Sequence, residues 1–127
     1  MFEFPRIHRL ASKRDFQFVF AKPYKISCQY LLALYRLNQK PHARLGIIIR
    51  KDLVHQAVDR NRLRRVIRES FRLNHEKLKG LDIIVLMRSQ CIPALRSTLK
   101  RNRVAVMREK KLLRNDIDNL WPQLVVP

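Results

Sequence analysis

Between Arg60 and Arg72 the chain reads Arg-Asn-Arg-Leu-Arg-Arg-Val-Ile-Arg-Glu-Ser-Phe-Arg, with neither proline nor glycine. At about 100° per residue, Arg60, Arg64, Arg68 and Arg72 fall on one drifting stripe of a helix, with Asn61 and Arg65 beside it. Leu63, Val66, Ile67 and Phe71 gather on the other side, so the segment is a helix with one buried face and one cationic face. Glu69 is the only acid in the stretch, whereas a merely solvated face mixes both signs. A helix of this kind must pack on a core through its apolar side and meet a polyanion through the other.

The rest of the composition agrees. The 127 residues suit one domain, and 46% apolar content is enough for a folded core. The formal net charge of +18 sets up a field that attracts nucleic acid and penalises the isolated protein by self-repulsion. No apolar run is long enough to span a bilayer, and the N-terminus lacks the apolar region of a signal peptide. Cys28 and Cys91 are too few for a disulfide framework or a zinc site, so the cytoplasm with reduced thiols is the expected setting.

Taken in order, residues 1–11 read as an irregular basic arm. Ser12-Lys13-Arg14-Asp15 has the form of a capping box, predicting a helix that runs to about Ala21 and stops at Lys22-Pro23. Phe16 and Phe20 share one face of it with Val19, and Phe18 points elsewhere. Gln29 to Leu37 and Arg44 to Arg50 read as strands that the turn Asn38–His42 can join as a hairpin. Leu81 to Arg88 is apolar on both faces and is expected at the centre of the sheet. The strand–helix–strand order around the arginine helix predicts a βαβ crossover, right-handed by default. Residues 94–121 have helical composition, with Leu112, Leu113, Ile117, Leu120 and Trp121 as the apolar face of the last part and Pro122 as its stop. The fold class is α+β, a single layer of sheet with helices packed on it.

The catalytic inventory is thin. The 10 acidic residues form no acid/base pair, and Asp116 and Asp118 face different ways on a helix. His8, His42, His55 and His75 are scattered and read as ordinary surface or packing residues. Two glycines cannot make a phosphate loop, and the carboxylate cluster of a two-metal nuclease is missing. No catalytic residue and no metal ligand is assigned. The binding inventory is rich, because arginine matches phosphate bidentately and stacks on bases. Phe16 and Phe20 are either core or a stacking platform for unpaired bases. Tyr30 and Tyr35 carry the same ambiguity, and an odd separation places them on opposite faces of a strand, so at most one lines a cleft with the first helix. A second Arg-Asn-Arg, at 101–103, lacks the apolar rungs and reads as basic surface.

Ala57-Val58-Asp59-Arg60-Asn61-Arg62-Leu63-Arg64-Arg65-Val66-Ile67-Arg68-Glu69-Ser70-Phe71-Arg72 resembles the signature of the protein subunit of bacterial ribonuclease P. Phe16-Gln17-Phe18-Val19-Phe20, Arg44 to Lys51 and Leu81 to Val85 are similar to the elements around it, so the likeness covers about residues 10–90. The loop Asp52–Gln56 departs by lacking a glycine. The resemblance implies one RNA-binding domain over 1–127, of order αβββαβα, mixed-sheet and like the second domain of ribosomal protein S5. It replaces the right-handed default with a left-handed crossover. It also implies that catalysis belongs to an RNA subunit, with Mg²⁺ held mainly by that RNA and its substrate, the precursor tRNA. Arg60, Asn61, Arg62, Arg64, Arg65 and Arg68 would contact the catalytic RNA; Phe16, Phe20, Tyr35 and Lys51 would line a cleft for the single-stranded 5′ leader. No membrane and no small-molecule substrate enters this reading. A ribosomal or other structural RNA-binding protein, and a metal-dependent nuclease in its own right, stand as rivals.

Overall fold

The computed structural model describes residues 8–51, 57–88 and 103–124, and for 103–110 the backbone alone. Its elements are α1 (Lys13–Ala21), β1 (Tyr24–Ser27), β2 (Leu31–Leu37), β3 (Arg44–Ile48), α2 (Ala57–Asn74), β4 (Leu81–Met87) and α3 (Arg103–Leu120). Short 3₁₀ turns follow α2 (His75–Leu78) and α3 (Trp121–Gln123). The order is αβββαβα, and α+β is the class. Positions 1–7, the loop 52–56 with His55, and 89–102 with Cys91 lie outside the described residues.

The sheet order is β1-β2-β4-β3. The expected hairpin between β2 and β3 is therefore not formed. β4 inserts between them, antiparallel to β2 and parallel to β3, and the β3–α2–β4 crossover takes its predicted place. The reason is burial. β4 is apolar on both sides and belongs in the middle, whereas β3 begins with Arg44 and carries Gly46, features an edge tolerates better. The other edge is β1, short and largely exposed, which pairs antiparallel with β2 and which apolar patterning alone did not indicate.

Strand parity sorts the side chains into two layers. Leu31, Ala33, Tyr35, Leu45, Leu81, Ile83 and Val85 share the main core with Leu63, Ile67 and Phe71 of α2 and Leu113, Ile117, Leu120 and Trp121 of α3. Leu112, expected on the same face of α3, is exposed instead. On the opposite side, Leu10, Val19 and Ile84 make a smaller core under α1, with Phe16, Leu34, Ile48 and Leu86 packed on it. The last helix ends at Leu120, one residue before the expected Trp121, and Trp121–Gln123 with Pro122 form the 3₁₀ turn that closes it.

Tyr35 is thereby corrected. It is 2% exposed in the main core, on the face away from Phe16, with its ring stacked on Tyr24. Tyr30 precedes β2, escapes its alternation and joins the same core, so neither tyrosine lines a cleft with α1. The basic arm is also structured from His8 onward. Leu10 N–H donates to the Leu45 carbonyl at 3.0 Å beside the outer edge of β3, and a His8 ring nitrogen lies 2.8 Å from the Ala43 carbonyl. His8, His42 and His75 are not scattered: they meet around Phe71, with ring centroids 5.0–6.2 Å apart along the cluster.

Buried polar groups lock these layers. Asp82, fully buried in β4, accepts from Arg44 Nε and Nη2 at 2.8 and 2.6 Å and from Asn38 Nδ2 at 2.8 Å. These bonds raise the Arg44 pKa further above its ordinary value. Arg44 also reaches Asp15 at 3.4 Å, and Asp15 closes the predicted capping box with Ser12 at the start of α1. In α3, Asp116 accepts the Gln29 and Tyr30 N–H groups at 2.9 and 3.0 Å, tying the β1–β2 turn to the helix. Ser70 of α2 donates to Asp118 and accepts from Trp121 Nε1 at 2.8 Å.

Arg44→Met strands the Asp82 carboxylate and is expected to cost about 3–5 kcal/mol. Adding Asp82→Asn should recover part of that loss. Equilibrium urea unfolding measures both, and equal midpoints for Arg44→Met and the parent chain would refute the lock.

Candidate nucleic-acid interface

The side of the sheet that carries α1 is built in rows. Register places Arg36, Asp82 and Arg44 in one row, Leu34, Ile84 and Gly46 in the next, and Leu32, Leu86 and Ile48 in a third. Helix α1 crosses the first two. Near its start Asp15 reaches Arg44 and Phe16 lies over Gly46; further on, the Phe18 carbonyl accepts from Arg36 Nη1 at 2.7 Å. Val19 points straight down and is completely buried. The third row remains half-buried, an apolar floor beside the helix edge that carries Phe16 and Phe20. Phe20 is 46% exposed at the end of that edge.

Gly46 is what allows this seat. A Cβ at that position would lie 2.7 Å from Cε1 and Cζ of Phe16 and 3.2 Å from Leu10 Cβ. The glycine serves close approach here, so the Phe16 ring rests directly on the β3 backbone.

Helix α2 adds the cations. Its buried residues are Asp59, Leu63, Ile67, Ser70 and Phe71, with Val66 partly buried, as the apolar stripe requires. Asn61, Arg65 and Arg68 are exposed, and Arg60, Arg62 and Arg64 half-buried. The arginines are not equivalent. Arg62 bonds at 3.1 Å to Asp59, buried in the helix's own first turn, and so also has a structural task. Arg72 pairs with Glu69 in the same way. Arg64 Nη1 lies 3.4 Å from Asn61 Oδ1, which orients both on the outer face.

A cleft between α1, β3 and α2 joins the two sets. It is lined by Arg9, Leu10, Phe16, Gly46, Arg64 and Arg68, among others. Although its side chain is exposed overall, desolvation against the cleft wall first, and then the positive charges of Arg9 and Arg64, pull the Arg68 pKa below its ordinary value. Several cations concentrated beside an aromatic ring favour a phosphate and a base together.

Among the expected site residues, then, the fold brings Phe16 together with Arg64 and Arg68, and puts Phe20 on the same edge of α1. Arg60, Asn61, Arg62 and Arg65 lie along α2, Lys51 is exposed three residues past the end of β3, and Tyr35 is on the far face. Sequence reasoning passed over Arg9, Arg50 and Arg88. Continuing the strand parity 44-46-48-50 and 82-84-86-88 would have pointed the last two toward the α1 side, once the register was known.

Gly46→Ala should push the Phe16 ring off β3, at a cost of about 1–3 kcal/mol. The Phe16 ring resonances should shift with it in NMR spectra, and unchanged resonances would remove Gly46 from the cleft.

Comparison with known proteins agrees with this geometry. The sequence model of the ribonuclease P family matches residues 4–111. The ribonuclease P protein component of Methylococcus capsulatus is 44% identical over 86 residues, which are 68% of this chain and 67% of that protein. That of Legionella pneumophila (strain Lens) is 44% identical over 88 residues, 69% of this chain and 75% of its own. Among solved structures, the RNase P protein from Thermotoga maritima superposes with a TM-score of 0.72 at 28% identity, covering 93% of this chain and 98% of that one. The Staphylococcus aureus RNase P protein gives 0.70 at 25% identity, covering 89% and 91%. An arginine-faced helix beside an aromatic cleft, in a fold shared along nearly the whole chain, thus has a known setting: the chain belongs to the ribonuclease P protein family.

Proposed function

We propose that this chain is the protein subunit with which a catalytic RNA removes the 5′ leader from precursor tRNA in the cytoplasm. The observation that carries the reading is the meeting of the two surfaces, where Phe16 shares a cleft with Arg64 and Arg68. In this reading α2 docks on the RNA subunit through Arg60, Asn61, Arg62, Arg64, Arg65 and Arg68. The leader lies over the half-buried row Leu32, Leu86 and Ile48, its bases against Phe16 and Phe20. Arg50, Lys51 and Arg88 supply charge at the rim. Stacking and backbone phosphate contacts accept a leader of any sequence, which suits a substrate class with varied leaders.

The protein's contribution is positional. Holding the leader and the RNA subunit at once fixes the scissile phosphodiester relative to the catalytic RNA, turning an encounter into an intramolecular arrangement. Hydrolysis itself falls to the RNA with Mg²⁺. The protein's described residues do not fit that ion: they contain no group of three or more His, Cys, Asp or Glu placed to hold a metal. Each described carboxylate already serves the fold through Arg44, Arg62, Arg72, Lys79, Arg114, or the backbone N–H groups of Gln29 and Tyr30. No step is therefore assigned to Mg²⁺ through the protein. No helix among the described residues is long and apolar enough to cross a membrane.

In reconstitution with its RNA, the chain should cleave nothing alone and should stimulate precursor cleavage most at low Mg²⁺. Cleavage by the protein without RNA, or no stimulation, would sink the proposal. Phe20→Ala should weaken binding of leader-bearing tRNA about 5–10-fold, from one lost stacking contact, and leave mature tRNA unchanged. Arg65→Ala should reduce the salt slope of RNA-subunit binding by about one, the signature of one phosphate contact.

A further inference from the structure

Helix α1 has a second flank. Phe18 projects about 200° round the helix from Phe16, away from the leader cleft. There it borders a separate groove with Lys22, Tyr24, Arg36, Leu37 and Asn38, at the β1–β2 end of the sheet. The Arg36 guanidinium carbon stands 4.0 Å from the centre of the Phe18 ring, and its Nη1 is anchored on the Phe18 carbonyl. The guanidinium is thus fixed over an aromatic face. Tyr24 is 39% exposed, and its ring is stacked on the buried Tyr35 at 5.5 Å with 29° between the planes. Because Tyr24 pairs with Tyr35, its ring lies on the core side of β1, where the buried ring holds it in place, and Tyr24 borders the groove from the end of the sheet.

The charges around this groove are of one sign. Lys22 and Arg36 line it, and no carboxylate among the described residues does. Lys25 is exposed on the same face of the sheet as Arg36, since it pairs with Leu34. Exposed aromatic surface with cations and without acids is complementary to unpaired nucleic acid rather than to an apolar peptide. The groove begins close to the leader cleft along the chain: Phe20 lies on the Phe16 flank of α1, and Lys22, the residue after the helix ends at Ala21, lines the groove on the other flank.

We infer that the groove of Phe18, Lys22, Tyr24 and Arg36 is a second subsite for the leader. It takes nucleotides that run beyond Phe20 and turn round the C-terminal end of α1. The inference rests on the proposed leader reading and adds a length dependence to it. A short leader fills the Phe16–Phe20 cleft alone, and a longer one also reaches Tyr24.

The test is precursor-tRNA affinity of the holoenzyme reconstituted with its RNA, for a series of leaders of increasing length and for mature tRNA. With the parent chain, affinity should rise again once the leader exceeds what the first cleft holds. Tyr24→Ala should remove that second gain, about 5–10-fold for one stacked base. Tyr24→Phe should retain it, and Lys22→Gln should lower the salt slope by about one for long leaders only. Loss of affinity for all leaders and for mature tRNA alike would mean that another RNA segment occupies the groove, and would overturn the inference. So would no loss at any length. If Phe20→Ala weakens leader binding while Tyr24→Ala does not, this subsite falls and the leader cleft stands. If neither does, the leader reading itself has failed.

Discussion

The contact between Arg44 and Asp82 is the point from which the other positions follow. A fully buried carboxylate in the central strand would be intolerable alone, and the Arg44 guanidinium answers it with two parallel bonds. That pairing fixes β3 against β4. Through Asn38 it fixes the start of the β2–β3 connection, and through Asp15 it fixes α1 across the sheet. The height at which α1 crosses decides which row is covered and which stays open. The apolar floor beside Phe16 and Phe20 is thus set by an ion pair at the far side of the helix.

This arrangement also separates two kinds of cation that look alike in a sequence. Arg44, Arg62, Arg72 and Arg114 each meet an acid of the same chain. Against 28 basic residues the chain has only 10 acidic ones, so using the acids inside the fold leaves most of the positive charge to the surface. Asp59 shows the principle on α2 itself. It is buried at the first turn, where it suits the helix dipole and holds Arg62, while Arg65 and Arg68 stay exposed.

Local signals carried much of this. The capping box at Ser12 and Asp15, the two faces of α2 and the doubly apolar β4 could be read because each depends on neighbours within a few residues. Strand order could not. A turn between two apolar runs predicts a hairpin, and only the competition for the sheet centre shows that β4 takes the place beside β2. Tyr35 failed for a related reason. Parity assigns side chains to alternate faces, but which face α1 covers is fixed by partners far away, such as Gly46 and Ile84. Tyr30 lies before the strand, where the alternation used to separate it from Tyr35 does not apply. The role of Gly46 is invisible without the Phe16 ring above it.

The cleft at Arg9, Arg64 and Arg68 explains why a fold would carry such a cost. Desolvation at the cleft wall, and then the neighbouring charges of Arg9 and Arg64, lower the Arg68 pKa. An RNA phosphate placed there removes the repulsion and gains the attraction. To the extent that RNA binds this folded cluster more tightly than an unfolded chain in which the arginines are dispersed, occupancy also stabilises the fold by mass action.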